Sequence, residues 1–175
     1  DTLRDLDEKY ANRIQTIYST QEAIETCALN ADLIIGAVLI PGAASPKLVG
    51  TDLIKRLKPG SVVVDVAIDQ GGCFETSKAT THDNPTYLVH DVVHYCVANM
   101  PGAVAKTSAI ALNNATLPFV LQLANQGTVK ALQSNSHLFE GLNVWKGRVI
   151  NEHIAQQHGY EFNTIGPGQL SVGTH

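Results

Sequence analysis

The sequence predicts an α/β fold, a doubly wound parallel sheet that gives way to a long helix and a smaller second segment. Three observations predict it. Two nearly continuous apolar runs, DLIIGAVL at 32–39 and SVVVDVAI at 61–68, suit strands covered on both faces. Helical patterns separate such runs at intervals of about 25–30 residues, the rhythm of strand–helix–strand units. After Asn99-Met100-Pro101-Gly102 the rhythm stops, and TSAIALNNATLPFVLQLANQG from Thr107 reads as one helix ended near Gly127.

Taken in order, residues 13–18 (RIQTIY) alternate polar and apolar and suit a strand. Ser19 and Thr20 then offer an N-cap, with Glu22 in the first turn of a short helix through Ala28. Beyond the first apolar run, Leu48, Leu53, Ile54 and Leu57 fall at helical spacing over 46–57, and Lys58-Pro59-Gly60 closes that helix. Gly71-Gly72 follows the second run, a polar stretch occupies 76–86, and residues 87–93 and 95–97 supply further strand material. The long helix is N-capped by Thr107 or Ser108, is apolar around most of its circumference and so is expected to be largely buried, and carries Pro118 as a kink. Helices near 129–133 and 151–158 come next, and 166–175 has so few packing side chains that it reads as a tail.

Composition narrows the function. A hydrophobic share of 44% is enough for a real core, and a net charge of −4 offers no basic field for nucleic acid. Cys27, Cys73 and Cys96 are odd in number and lack CxxC spacing, so they read as reduced thiols, and the seven histidines show no HExxH pattern. No apolar run approaches the roughly 18–20 residues that span a bilayer. The first residue is Asp1 and not Met, so the chain reads as part of something longer.

In an open α/β sheet, ligands bind beyond the carboxyl ends of the strands. Three such ends run into Gly or Pro: Val38-Leu39-Ile40-Pro41-Gly42, Ala67-Ile68-Asp69-Gln70-Gly71-Gly72, and Val97-Ala98-Asn99-Met100-Pro101-Gly102. Singly, each is explained by a chain that must turn; three in equivalent places point to a ligand crevice. Asp69 is the most pointed residue, an ionisable group closing an apolar strand, although Asp-Gln-Gly-Gly is also good turn chemistry for a solvent-facing residue. Asp65, inside the same strand, is the competing carboxylate and reads as a structural hydrogen-bonding group. No GxGxxG is present, so either no dinucleotide binds or the first strand–helix–strand unit is missing.

The segments DLIIGAVLIPG (32–42), VDVAIDQGGCFE (64–75), YCVANMP (95–101) and TSAIALNNATLPF (107–119) resemble alanine dehydrogenases, from residue 1 to about 162, with DVAIDQGGCFE the most specific. The NAD-binding subunit of transhydrogenases shares part of these motifs and matches less well over YCVANMP. The resemblance implies an incomplete Rossmann-type sheet: residues 1–104 as the later part of an NAD-binding domain without its first unit, 105–165 as the C-terminal segment of a substrate domain, and 166–175 as a tail. The phosphate-binding turn, the ribose-binding acid (about four residues before Asp1), the substrate-binding arginine and lysine and the catalytic histidine would all lie upstream.

Residue by residue, Ser19 resembles the serine near the adenosine end of NAD, and Val38 and Leu39 the pair over which the nucleotide passes. Val66, Ala67, Ile68 and Asp69 match the run at the nicotinamide ribose, with Asp69 the family's second catalytic residue. Lys78 stands where an arginine often lies near the cofactor. Val97, Ala98, Asn99 and Met100 match the stretch facing the nicotinamide ring. Thr2 replaces a basic residue of some members, which weakens any role for it. Gln122 and Gln126 replace a Glu and a His that bind metal in a few members; neutral amides are poor ligands for a hard cation, so no metal is expected. The implied reaction is reversible, NAD-dependent oxidative deamination of L-alanine to pyruvate and ammonium by a cytoplasmic homohexamer with no nucleic-acid or membrane partner. A non-catalytic NAD(H)-binding module, such as a transhydrogenase subunit, and an inert fragment are the alternatives, and these 175 residues alone are expected to be inactive.

Overall fold

The computed structural model describes residues 2–40 and 44–171. Pro41 and Gly42 of the first strand-end loop, Asp1, and 172–175 of the expected tail therefore lie outside the described residues. The chain divides into two units, one running to Leu39 and resuming from Ala44 to Met100, the other taking 40–43 together with the chain from Pro101 onward.

The first unit opens with helix α1 (Thr2–Tyr10), which buries none of its residues, and a 3-10 turn at Ala11–Arg13. Residues 14–18 form no strand, contrary to the alternation of RIQTIY, and Ile14, Ile17 and Tyr18 stand exposed. A strand needs a neighbour for its backbone groups, and this stretch has none in the described sheet. Helix α2 (Gln21–Asn30) starts where the cap predicts, with the Thr20 hydroxyl accepting from Ala23 N–H at 3.1 Å.

Strand β1 (Leu33–Gly36) is shorter than the 32–39 run and is not covered on both faces: Leu33 and Ile35 are 54% and 60% exposed. It is an edge strand, and its side chains alternate, so Ile34 reaches the core while its neighbours point the other way. The helix expected over 46–57 contracts to α3 (Thr51–Ile54). The cause is non-local: Leu48 and Val49 donate to the Cys73 carbonyl at 2.9 and 3.3 Å, and Val49 pairs with Phe74, which holds this stretch extended up to Gly50. Leu53, Ile54 and Leu57 still bury, as their spacing predicts.

Strand β2 (Val62–Asp65) lies parallel to β1, with Gly36 opposite Asp65. Strands β3 (Thr86–Val89) and β4 (Val92–Tyr95) form a hairpin, and β4 runs parallel to β2, giving the order β1-β2-β4-β3. The sheet is thus mixed rather than wholly parallel. His90 and Asp91, at φ of 50° and 60°, make the tight left-handed turn that joins two antiparallel strands. The core gathers Ile54, Val63, Phe74 and Val92, each at most 1% exposed, with Ala28 and Leu57 around them. Gly36 permits that packing, because a Cβ there would lie 2.2 Å from Cys73 Sγ and 2.6 Å from the Phe74 ring.

In the second unit, helix α4 (Ala105–Gln126) begins earlier than Thr107, without a side-chain cap, and runs through Pro118 to Gly127 at φ 74°. None of its residues is buried, a correction to the expectation: Ile110, Leu112 and Val120 are more than half exposed. All-round apolarity reports that a helix needs cover but not what supplies it, and within its unit α4 meets mainly α5 (Thr128–Ser134). Gln122 and Gln126 engage Ser134 and Asn135 through their amides. Then come α6 (Ser136–Glu140), a hairpin of β5 (Val144–Trp145) and β6 (Arg148–Val149), and α7 (Glu152–His158), capped by Asn151. The tail reading is also corrected for its described part: Leu170 is 4% exposed, and its carbonyl accepts from Gln133 Nε2 at 3.4 Å. Among the described residues no helix is long and apolar enough to cross a membrane.

Candidate functional site

The parallel pairing of β1, β2 and β4 brings three strand ends to one edge of the sheet. Val66 N–H donates to the Gly36 carbonyl at 2.8 Å, and Val64 stands opposite Tyr95, so the loops after Gly36, Asp65 and Tyr95 leave neighbouring strands at similar height. Val38, Leu39, Val66, Ala67, Ile68, Asp69, Val97, Ala98, Asn99 and Met100 all belong to these loops. Ser19 does not: it precedes the cap of α2. Lys78 lies in the segment leading to β3, where its N–H donates to the Tyr87 hydroxyl at 2.7 Å.

Exposure divides the group. Ala67, Ile68 and Val97 turn their side chains into the protein, so only their backbone can serve a ligand, whereas Leu39 and Val66 are 63% and 49% exposed at the loops. Asp69 sits in the 3-10 turn Ile68–Gln70, closed by Gly71 at φ 94°. Its side chain is exposed and has no hydrogen-bond or ion-pair partner among the described residues.

Asp65 contrasts with it. It is fully buried, and its Oδ2 accepts from Cys73 N–H at 2.9 Å, Phe74 N–H at 3.3 Å and the Ser77 hydroxyl. Burial, with Asp65 beside it, pushes the Cys73 thiol up to about 11, so that sulfur stays protonated and unreactive at neutral pH. Glu75 holds the start of α3: its Oε2 accepts from Thr51 N–H at 2.6 Å and Thr51 hydroxyl at 2.7 Å, which lowers its pKa below the usual carboxylate value.

Two side chains that sequence reasoning missed brace the loops. Lys47 Nζ donates to the carbonyls of Gly71, Gly72 (2.9 Å) and Phe74 (3.3 Å), while Ser45 N–H donates to Gln70 O at 2.9 Å. These bonds tie the loop after β1 to the turn carrying Asp69. The other is His82, whose Nε2 donates to Asn99 O at 2.6 Å. Neither had a local signal beyond standing close in sequence to a strand-end loop or a turn, because the acceptors are 24 and 17 residues away.

His94 underlies this edge of the sheet. It is fully buried, donates through Nδ1 to Val92 O at 3.0 Å, accepts at Nε2 from the Thr76 hydroxyl at 2.7 Å, and stacks on Tyr87. Burial lowers its pKa below 6.5, so the folded form resists a proton that the unfolded chain accepts. The stability gained from keeping it neutral is present above about 6.5 and is lost as pH falls below that value. Urea unfolding midpoints should therefore drop between pH 7.5 and 5.5, and His94→Gln should flatten that part of the profile; an unchanged profile in the variant would exclude His94 as its source.

Comparison with known proteins places this geometry in context. A family model described as "Alanine dehydrogenase/PNT, C-terminal domain" matches residues 1–152. An alanine dehydrogenase of Halomonas elongata is 58% identical over 160 residues, which cover 91% of this chain and 43% of that protein. Alanine dehydrogenase 2 of Staphylococcus aureus is 54% identical over 164 residues, covering 93% and 44%. Among solved structures, an L-alanine dehydrogenase superposes with a TM-score of 0.73 at 50% identity, over 88% of this chain and 42% of that one. A transhydrogenase from Sinorhizobium meliloti gives 0.62 at 22% identity, over 87% and 41%, a likeness of fold alone. The chain spans less than half the length of these curated relatives.

Proposed function

The chain belongs to the alanine dehydrogenase/PNT C-terminal domain family, and on that footing we propose that it forms the cofactor-facing part of an NAD-dependent alanine dehydrogenase. The reaction is L-alanine, NAD⁺ and water to pyruvate, ammonium, NADH and a proton. The observation that carries this reading is Asp69, a carboxylate with no structural partner among the described residues, at a strand-end mouth beside half-exposed Val66. The arrangement fits a nicotinamide nucleotide: Leu39 and Val66 present apolar surface to a flat ring, the buried Ala67, Ile68 and Val97 leave their backbone to approach it, and Asp69 can accept from a ribose hydroxyl. NAD supplies hydride acceptance when bound.

The chain's own contribution is positioning and charge. Asp69 accepts hydrogen bonds from ribose hydroxyl or substrate ammonium, and helps orient the water that replaces the amine. Ser19 serves the adenosine side, Lys78 lies near the cofactor, and Ala98, Asn99 and Met100 serve the nicotinamide side. We place the enzyme in the cytoplasm as a homohexamer, by its resemblance to the family. Steady-state assay of the protein at the full length of its relatives tests the whole reading. Alanine-dependent NADH formation is expected; NADH binding without it would favour the transhydrogenase-like reading.

A further inference from the structure

The geometry points to His82 as a positioning residue for the cofactor, acting through the peptide between Asn99 and Met100; this rests on the reading of the strand-end loops as the nicotinamide site. His82 sits in a turn that is itself held. Thr81 bridges Asn84 across the turn, and the Thr80 hydroxyl donates to Pro85 O at 3.0 Å. On the other side Thr80 adds a short parallel bridge to the end of β4: Thr80 N–H donates to Cys96 O at 2.9 Å, and Ala98 N–H to Thr80 O at 3.2 Å. The imidazole thus approaches Asn99 from a framed support, and Nε2 donates to its carbonyl at 2.6 Å.

A carbonyl oxygen offers only acceptance, so Nε2 carries the proton in this contact. Both the neutral Nε2–H tautomer and the imidazolium can make it. Because the peptide is planar and trans, fixing the Asn99 oxygen fixes the Met100 N–H on the opposite side of the same plane. A free loop would sample several orientations of that unit, and a ligand that needs one of them would bind more weakly in proportion. His82 is exposed and belongs to no core cluster, so this work is separable from stability.

The test uses the protein at the full length of its relatives, with His82→Phe, which keeps a ring and removes the donor, and His82→Gln, whose amide nitrogen can reach the place of Nε2. For His82→Phe we expect an NADH dissociation constant and NAD KM raised about 5–10-fold, the worth of one such hydrogen bond, with kcat at saturation and Tm nearly unchanged. His82→Gln should recover to within about twofold of the parent. Hydrogen exchange at the amides of 98–100 should quicken in His82→Phe, with or without cofactor. Unchanged exchange there, wild-type affinity in His82→Phe, or no recovery in His82→Gln would each overturn the inference. A parent that binds no NADH would instead sink the cofactor reading, and the exchange measurement would still decide whether the clasp exists.

Discussion

In the protein at the full length of its relatives, Asp69→Asn is expected to lower kcat for alanine-dependent NADH formation by roughly 10²-fold or more, in line with other positioned polar groups that act on developing charge, while leaving Tm where it was. The change is isosteric and removes only the negative charge and one acceptor. In the fold that charge has no structural work: the turn is closed by Gly71 and braced by Lys47 and Ser45 through backbone carbonyls, and Ile68 beside it supplies the burial. Loss of turnover with an unchanged Tm therefore has to come from the reaction. Steady-state kinetics and a thermal melt on the same sample check both halves. Near-normal turnover would remove Asp69 from the chemistry, and a large fall in Tm would make it a structural turn residue.

That asymmetry explains how much was legible in the sequence. Features set by neighbours in the chain read well: the Thr20 cap of α2, the apolar strands around Ile34 and Val63, the end of α4 at Gly127, and the short helix α7 near 151–158. Features set by distant partners did not. RIQTIY has a strand's alternation but no strand beside it, and 46–50 has a helical spacing that the Cys73 carbonyl overrides. Periodicity also overstated cover, for β1 as for α4, because it records which face is apolar and not what lies against it. At the candidate site the strand-end loops were visible as Gly and Pro after apolar runs, whereas Lys47 and His82 act only through backbone carbonyls, which no residue type announces.

Asp65 gives the strongest stability prediction, and it tests the same logic from the opposite side. It stands four residues before Asp69 at the same end of β2, yet it is fully buried and its oxygens serve Cys73, Phe74 and Ser77. Those bonds draw residues 73–77 across the end of the strand, and Gly72 at φ 75° has no room for a Cβ, which would come within 2.6 Å of the Asp65 carboxylate. Asp65→Ala should therefore strand two amide N–H groups and a hydroxyl near the core and cost about 3–5 kcal/mol, roughly 10 °C in Tm for a chain of this size. Asp65→Asn keeps an oxygen for Cys73 and Phe74 and should cost only about 1–2 kcal/mol. Thermal melts of the two variants beside Asp69→Asn separate the roles: the graded loss belongs to position 65 and none of it to position 69. Should Asp65→Ala melt within a degree or two of the parent, the buried network would not be what holds the loop, and the rigid placement of Asp69 would need another source.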